Sequence, residues 1–206
     1  LDQMGSMIQA VRERDVFLHF PYESFDYLIR LLMEAAFDPM VDEIKITQYR
    51  VAENSAVINT LISAAQNGKK VTVFVELKAR FDEENNMSSS ERMKQAGIRI
   101  IYSIPGLKVH AKVALVLCRD AGNGGEKKDI AYLSTGNFNE KTARIYSDMA
   151  LLTSDAAIVQ DIGNVFALLE GKLEAPTFTH LLVARFNMVP EIDRMIEREI
   201  EQVRAG

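Results

Sequence analysis

A histidine and a lysine stand two positions apart at the entrance to an apolar run. They are His110 and Lys112, at the end of Pro-Gly-Leu-Lys-Val-His-Ala-Lys (105–112) and directly before Val-Ala-Leu-Val-Leu-Cys (113–118). In a strand, residues i and i+2 point to the same face, so the imidazole and the ammonium should converge on one spot. An imidazole nucleophile beside a fixed cation suits phosphoryl transfer through a covalent histidine.

A turn follows the next apolar run. The segment Ser-Thr-Gly-Asn-Phe-Asn-Glu-Lys-Thr-Ala-Arg (134–144) contains the pair Gly136 and Asn137. Both residue types favour a sharp bend of the backbone, and the amides of such a bend can approach a phosphate closely. We therefore expect this turn and the histidine–lysine pair to face one site.

The rest of the chain alternates strand and helix patterns. Strands are predicted at 16–20, 41–49, 70–77, 98–102, 109–119, 129–134 and 145–152, with a short last strand at 181–184. Helices are predicted at 25–37, 56–66, 156–169 and 190–204, and a further helix ends at residue 96. This order favours an α/β fold with a mostly parallel sheet and helices on both faces. The pair Asn123-Gly124 predicts an antiparallel hairpin, so the sheet should be mixed.

Composition narrows the classes of function. With 206 residues, 48% of them hydrophobic, one compact domain with a sizeable core is expected. No apolar run approaches the ~20 residues of a membrane span, and the single cysteine, Cys118, fits a buried position in a reducing compartment. The formal net charge of −5 argues against broad nucleic-acid binding. A polyanion would need a local basic patch, for which the chain offers Arg50, Lys78, Arg80, Lys108, Lys112, Lys141 and Arg144.

Several blocks of sequence resemble known families. The His-x-Lys and Gly-Asn segments resemble the motif of the phospholipase D superfamily. Four longer blocks, at 46–52, 67–84, 106–112 and 135–148, resemble polyphosphate kinase of the long type that phosphorylates itself on histidine. The likeness runs from about residue 15 to about residue 201. It implies a phospholipase-D-like sheet and reversible transfer of the terminal phosphate of ATP to inorganic polyphosphate, with Mg²⁺ accompanying the ATP.

The resemblance assigns roles to residues of the two motif segments. It makes His110 the phosphohistidine nucleophile, with Lys112 neutralising charge on the phosphoryl oxygens. Asn137 should donate to the phosphate, and Tyr146 should contact the nucleotide. The remaining residues expected to bind substrate are Lys108, Thr135 and Gly136.

Two arginines share a placement at or just past the carboxyl end of an apolar strand. They are Arg50 and Arg80, and ligands of open α/β sheets gather outside these strand ends. In the resembled kinase, the two positions are associated with the magnesium–nucleotide site. A guanidinium cannot ligate a cation, so we interpret both as phosphate clamps beside the metal.

The chain departs from the wider superfamily at one position. Where the full motif has an aspartate five residues after the lysine, this sequence has Leu117. A carboxylate that orients His110 must then come from elsewhere, and Asp148 is the candidate. Two alternatives stay open: a phospholipase-D-type phosphodiesterase completed by dimerisation, and a non-catalytic polyphosphate-binding module.

The expected organisation has three parts. Residues 1–14 form a lead-in helix or linker, 15–187 the phospholipase-D-like catalytic domain, and 188–206 a helix leading to a second domain. The resemblance implies additional domains in the full-length protein, homo-oligomers, and ATP or ADP and polyphosphate as ligands. It also implies a cytoplasmic location, with peripheral membrane association left open. The domain by itself is expected to be inactive.

Overall fold

The computed structural model describes residues 5–49, 54–76, 83–102, 108–119 and 128–206, with the backbone alone for 83–86. The strands in this part of the chain are β1 (Val16–Phe20), β2 (Val41–Gln48), β3 (Lys70–Val75), β4 (Arg99–Tyr102), β5 (Lys112–Cys118), β6 (Ile130–Ser134) and β7 (Asp148–Thr153). The helices are α1 (Met7–Glu13), α2 (Asp26–Phe37), α3 (Ala56–Gln66), α4 (Glu83–Gln95), α5 (Ala156–Leu169) and α6 (Met188–Ala205), with a 3₁₀ helix at Thr142–Arg144. Each strand predicted between 16 and 152 has its counterpart within three residues at either end.

A single sheet contains the seven described strands, in the order β1-β7-β6-β5-β2-β3-β4. β2, β3 and β4 pair in parallel, whereas the other four neighbouring pairs are antiparallel. The mixed α/β sheet is confirmed, and its antiparallel part extends beyond the predicted hairpin. This is because β5, β6 and β7 run back and forth in succession, and β1 joins the far edge by pairing Val16 with Leu152 of β7.

Apolar side chains cover both faces of the sheet. On one face, Ala114 and Val116 of β5 pack in a cluster with α1, α2, α3 and Met93 of α4. On the other face, Val113 and Leu115 pack against α5. Successive strand residues point to opposite faces, so this nearly continuous apolar strand is buried on both sides. The predicted helices on both faces are confirmed.

Local signals fix where two of the helices begin and where one ends. Ser55 accepts a hydrogen bond from Ile58 N at the start of α3, and Asp155 accepts from Ala157 N at 3.0 Å at the start of α5. These caps satisfy N–H groups that the first helical turn leaves free. The chain leaves α3 through Gly68, whose φ of +81° suits glycine, so the predicted stop is confirmed.

The predicted short strand at 181–184 is wrong. These residues form no strand, because side chains take up their backbone N–H groups. Asp161 of α5 accepts hydrogen bonds from His180 N at 2.7 Å and Leu181 N at 2.9 Å. Asn187 accepts from Val183 N at 2.8 Å. N–H groups that bond to side chains cannot extend a strand ladder.

The first and last helices differ in burial. α1 contributes Met7, Ile8 and Val11 to the apolar core, whereas no residue of α6 is buried. Ile192 and Ile196, on the apolar side of α6, are 43% and 53% exposed. Among the helices that the structure describes, none is both long enough and apolar enough to cross a membrane.

Candidate active site

The candidate site lies at one end of the sheet, where several strands begin or stop. β2 and β3 run parallel and both end there, while β5 runs antiparallel to β2 and begins there. β6 ends and β7 begins at this same end of the sheet. Ligands of open α/β sheets bind outside the carboxyl ends of strands. The topology therefore brings the histidine–lysine segment and the Gly-Asn turn to one place, as the sequence predicts.

His110 and Lys112 contact each other at this end of the sheet. Lys112 Nζ lies 2.9 Å from His110 Nδ1 and donates to the His110 carbonyl oxygen at 2.6 Å. A lysine ammonium can only donate, so the geometry fits a contact in which Nδ1 accepts. The predicted convergence of the two side chains is confirmed. His110 is exposed, whereas Lys112 is only 4% exposed, so a ligand can reach the ring while the cation is held beneath it.

The ring of Tyr49, directly after β2, is a shared neighbour of the basic side chains. Its centroid lies 4.9 Å from that of His110 in an edge-to-face arrangement. Lys112 Nζ is 5.2 Å and Lys108 Nζ 5.8 Å from the same centroid. Contacts of this kind between a cation and an aromatic face are attractive. Tyr49 therefore groups Lys108 with the His110 and Lys112 pair.

Two more side chains from strand ends hold the backbone of this segment. Thr47 of β2 donates its hydroxyl to Ala111 O at 2.8 Å and accepts from Val113 N at 3.1 Å. Glu76, directly after β3, accepts from Val109 N at 3.2 Å. Sequence analysis missed Thr47, Tyr49 and Glu76 as site residues. Their available signal was the position that each occupies at the end of an apolar strand.

The Gly-Asn turn is tied to Asp148 at the start of β7. Thr135 Oγ1 donates to Asp148 Oδ1 at 2.8 Å, and Gly136 N donates to Ser134 Oγ at 3.0 Å. A Cβ atom on residue 136 would lie 2.6 Å from Asp148 Oδ2, so the close approach requires glycine. In this structure Asp148 orders the turn; its predicted contact with His110 stays a prediction.

The residues after the turn present polar atoms and an exposed ring. Asn137 Oδ1 is buried and has no partner among the described residues. Asn139 Oδ1 accepts from Lys141 N and Thr142 N, both at 3.1 Å, which sets up the 3₁₀ helix. Tyr146 follows this helix and is 57% exposed, so its ring can contact a ligand.

The structure does not place every residue of the predicted basic patch beside His110. Arg50, Lys78 and Arg80 lie outside the described residues. Lys141 and Arg144 line a separate open cavity of about 530 Å³, together with residues such as Ala56. Of the predicted cations, Lys112 and Lys108 are the ones that the described structure groups with His110 and Tyr49.

Three other features concern the missing motif aspartate, the cysteine and possible metal ligands. Leu117, where the wider motif has an aspartate, packs against the apolar cluster of α5. Cys118 is buried as predicted, and burial raises the pKa of its thiol. Within the described ranges, no group of three or more His, Cys, Asp or Glu side chains could hold a metal ion.

Comparison with known proteins identifies relatives over almost the full chain. The family model for polyphosphate kinase C-terminal domain 1 matches residues 6–175. Polyphosphate kinase of Escherichia coli is 46% identical over 204 residues, which are 99% of this chain and 29% of the relative. Polyphosphate kinase of Salmonella typhimurium is 47% identical over 197 residues, or 96% of this chain and 28% of the relative. The chain thus spans about three-tenths of the length of the curated relatives it matches.

Solved structures agree with the sequence comparison. The crystal structure of polyphosphate kinase from Porphyromonas gingivalis superposes with a TM-score of 0.90 at 57% identity, over 100% of this chain and 34% of that one. Nuc from Salmonella typhimurium, a phospholipase D family member, superposes with a TM-score of 0.57 at 13% identity, over 77% of this chain and 92% of that one. The second likeness establishes the phospholipase-D-like fold alone. The first, with the family match, shows that the chain belongs to the polyphosphate kinase family, as its C-terminal domain 1.

Proposed function

We propose that this chain carries the nucleophile of a polyphosphate kinase, which transfers the terminal phosphate of ATP to inorganic polyphosphate and back. His110 attacks the terminal phosphorus, an N–P bond forms, and the bond to the bridging oxygen breaks to release ADP. The terminal oxygen of a polyphosphate chain then attacks the phosphohistidine, and the N–P bond breaks. The observation that carries this proposal is the contact of 2.9 Å between His110 Nδ1 and Lys112 Nζ in a member of this family.

Lys112 has two tasks in this reaction. Before substrate arrives, its ammonium donates to Nδ1 and to the His110 carbonyl, which fixes the ring. When phosphate enters, the ammonium gives up its hydrogen bond to the imidazole and donates to a phosphoryl oxygen instead. The lone pair of the ring nitrogen is then free to attack the phosphorus. The cation then stabilises charge on the oxygens, where preorganised electrostatics contributes most to phosphoryl transfer.

Other residues bind the substrate around this pair. Lys108 is close enough to share the Tyr49 ring with Lys112, so both cations can reach one polyanion. Thr135, Gly136 and Asn137 form the opposite wall, where the amide of Asn137 meets the phosphate. Tyr146 stacks on the nucleotide through its exposed ring. Arg50 and Arg80 act as phosphate clamps.

Mg²⁺ would reach this site bound to the phosphates of the nucleotide. The described residues contain no acidic or histidine cluster for a resident ion, and Mg²⁺ usually binds through substrate phosphates with several retained waters. The donor set of the site, which is basic at Lys108 and Lys112, fits phosphate oxygens that already carry the ion. When bound, Mg²⁺ neutralises part of the charge on those oxygens.

The complete reaction needs more of the polypeptide than this segment. Phosphoryl transfer depends on positioning and charge stabilisation, and further domains supply the rest of the cleft. The full-length enzyme forms homo-oligomers in the cytoplasm. The isolated domain is inactive in polymer synthesis.

Polymer synthesis from ATP by an enzyme of full family length tests the proposal. His110→Gln should abolish synthesis, because the amide cannot carry a phosphoryl group. His19→Gln and His180→Gln are matched controls, since these are the other two histidines of the chain and lie in no motif. Both controls should retain activity. Wild-type turnover by the His110→Gln enzyme would rule out His110 as the carrier.

A further inference from the structure

Side chains at the ends of β2 and β3 hold the backbone of the segment that carries His110 and Lys112. Three backbone groups in alternate residues, at Val109, Ala111 and Val113, bond to Thr47 or Glu76. These three residues flank His110 and Lys112 on each side. The backbone of the reacting pair is therefore held by side chains that do not themselves belong to the His-x-Lys motif.

Thr47 bridges the gap where β2 and β5 separate. Ile46 and Ala114 form the adjacent backbone pair. One residue further on, the Thr47 hydroxyl takes the place of a direct ladder bond, with Ala111 O as its acceptor and Val113 N as its donor. Thr47 is 3% exposed, so water cannot easily replace it. A buried hydroxyl that both donates and accepts fixes Lys112 from two sides.

Glu76 fixes the other end of the segment. Its carboxylate accepts from Val109 N, and its own N–H donates to Gln48 O at 3.0 Å, which ties it to the end of β2. Glu76 is 2% exposed. Burial of a carboxylate is costly unless hydrogen bonds or charges compensate for it. The Glu76 carboxylate bonds to Val109 N, one residue before the proposed nucleophile His110. A buried carboxylate at this place indicates a role at the site.

We propose that Thr47 and Glu76 are positioning residues that hold His110 and Lys112 in register for attack on phosphorus. This inference rests on the proposed function of His110. Neither residue needs to touch the substrate, since both act through the backbone at Val109, Ala111 and Val113. Displacement of a reacting group by about 1 Å can lower a rate by about 100-fold, so loss of either hold should slow phosphorylation without weakening nucleotide binding.

The Thr47 arm is tested in an enzyme of full family length by the rate of phosphohistidine formation from ATP. Thr47→Val keeps the volume but loses both hydrogen bonds, and it should lower the maximal rate by about 10-fold or more. The KM for ATP should stay within about three-fold of wild type, because the binding groups are intact. Thr47→Ser keeps a hydroxyl that can donate and accept, so its rate should recover to within about three-fold.

A matched control for the Thr47 arm lies at the other end of β7. Thr153 is also fully buried, and its hydroxyl donates to Asp15 Oδ1 at 2.5 Å and accepts from Asp155 N at 3.0 Å. Thr153→Val therefore loses the same kind of hydrogen bonds away from His110. It should lower stability but leave the phosphorylation rate unchanged. An equal loss of rate in both valine variants would assign Thr47 a merely structural role.

The Glu76 arm uses a polar and an apolar replacement. Glu76→Gln keeps a carbonyl oxygen for Val109 N and should retain most of the rate, whereas Glu76→Leu should lower it by about 10-fold or more. The control is Glu34→Leu, because Glu34 also accepts backbone bonds, from Met7 N and Ile8 N, far from the site. Full activity of Glu76→Leu would overturn the assignment of Glu76.

Amide hydrogen exchange in the 206-residue chain tests the hold separately from the reaction. Thr47→Val and Glu76→Leu should increase exchange at residues 108–113, whereas Thr47→Ser and Thr153→Val should not. Unchanged exchange in this segment contradicts the inference even if the rates fall. If the His110→Gln enzyme incorporates phosphate like wild type, the proposed function fails. If His110→Gln is inactive but the Thr47 and Glu76 variants behave like wild type, the proposed function stands and this inference alone fails.

Discussion

Asp148 and Gly136 approach each other so closely that no side chain fits between them. A Cβ atom on residue 136 would lie 2.6 Å from Asp148 Oδ2 and 2.7 Å from its Cγ. Asp148 cannot move away freely, because its other oxygen accepts the Thr135 hydroxyl. Packing at the start of β7 therefore requires the glycine of the Gly-Asn turn.

Gly136→Ala should distort this turn. Overpacking at a constrained position typically costs about 1–3 kcal/mol, and phosphohistidine formation should fall because the second wall of the site is displaced. Thermal unfolding and the rate from ATP measure the two effects. The double variant Gly136→Ala with Asp148→Gly removes the carboxylate and also Cβ of residue 148, which would lie 2.9 Å from the new methyl group. It should recover part of the stability. No recovery in the double variant contradicts the close-approach explanation.

Lys112→Met should separate catalysis from folding. In the proposed mechanism the ammonium stabilises charge in the transition state, and removal of such a group costs about 100-fold or more in rate. Stability should not fall in parallel, because methionine suits a site that is 4% exposed. Lys141→Met, a change at an exposed lysine of the turn, should leave the rate near wild type. A Lys112→Met enzyme with unchanged phosphohistidine formation would remove Lys112 from the mechanism.

Tyr146→Ala should raise the KM for ATP, because the exposed ring is the proposed platform for the nucleotide. Loss of one stacking contact corresponds to about 0.5–1.5 kcal/mol, or roughly a two- to ten-fold rise. The melting temperature should stay unchanged, since the ring is 57% exposed. Tyr22→Ala, at a tyrosine that is 77% exposed and belongs to neither motif segment, is the control. An identical KM in both variants would exclude stacking on Tyr146.

Asp161 should make the stability of the chain depend on acid. Burial raises the pKa of its carboxyl, but hydrogen bonds from His180 N, Leu181 N and Thr179 N outweigh burial, and the pKa is lowered overall. Because the folded pKa lies below the unfolded value of about 3.9, this stabilisation is present above that value. It is lost as the pH falls through the folded pKa.

The measurement compares wild type with Asp161→Ala by denaturant unfolding. At pH 7 the substitution should cost about 1–3 kcal/mol, since it removes a charged acceptor that three backbone N–H groups share. The difference should shrink below about pH 3.9 as the wild-type carboxyl is protonated. A difference that is equally large at pH 2.5 and pH 7 would show that the charge of Asp161 is not involved.

Much of the fold follows from local patterns in the sequence. The nearly continuous apolar run at 70–77 predicts a strand buried on both faces, and every residue of β3 after Lys70 is buried. The place of β1 could not be predicted in this way. It pairs with β7 through contacts between residues more than a hundred positions apart, and periodicity contains no information about which strand becomes a neighbour. The apolar residues 181–184 also misled, because Asp161 accepts from Leu181 N and Asn187 accepts from Val183 N.

The site divides in the same manner. The approach of His110 and Lys112 could be predicted from their spacing of two residues, although His110 lies just before β5 and not within it. Thr47 and Glu76 could not, because Thr47 depends on how β2 registers with β5, and Glu76 on how β3 lies beside β2. Tyr49 stood in a recognisable block, but its position beside the His110 ring depends on the same register.

The 206-residue chain alone should fold and bind phosphate weakly without making polymer. Its two apolar clusters cover both faces of the sheet, whereas in the proposed function the remaining walls of the cleft belong to other domains. Calorimetric binding of tripolyphosphate should weaken as salt rises, because exposed charges are screened, and Lys112→Met should weaken it further. Processive synthesis of polyphosphate from ATP by this chain would contradict the expectation.

The identity of the phosphorylated residue tests the central claim most directly. An enzyme of full family length is incubated with labelled ATP, and the site of labelling is mapped by mass spectrometry under alkaline conditions. The label should be lost in acid and retained in base, and it should map to His110. It should be absent from His110→Gln and present in His180→Gln. Label on another residue, or equal labelling of His110→Gln, would contradict the account.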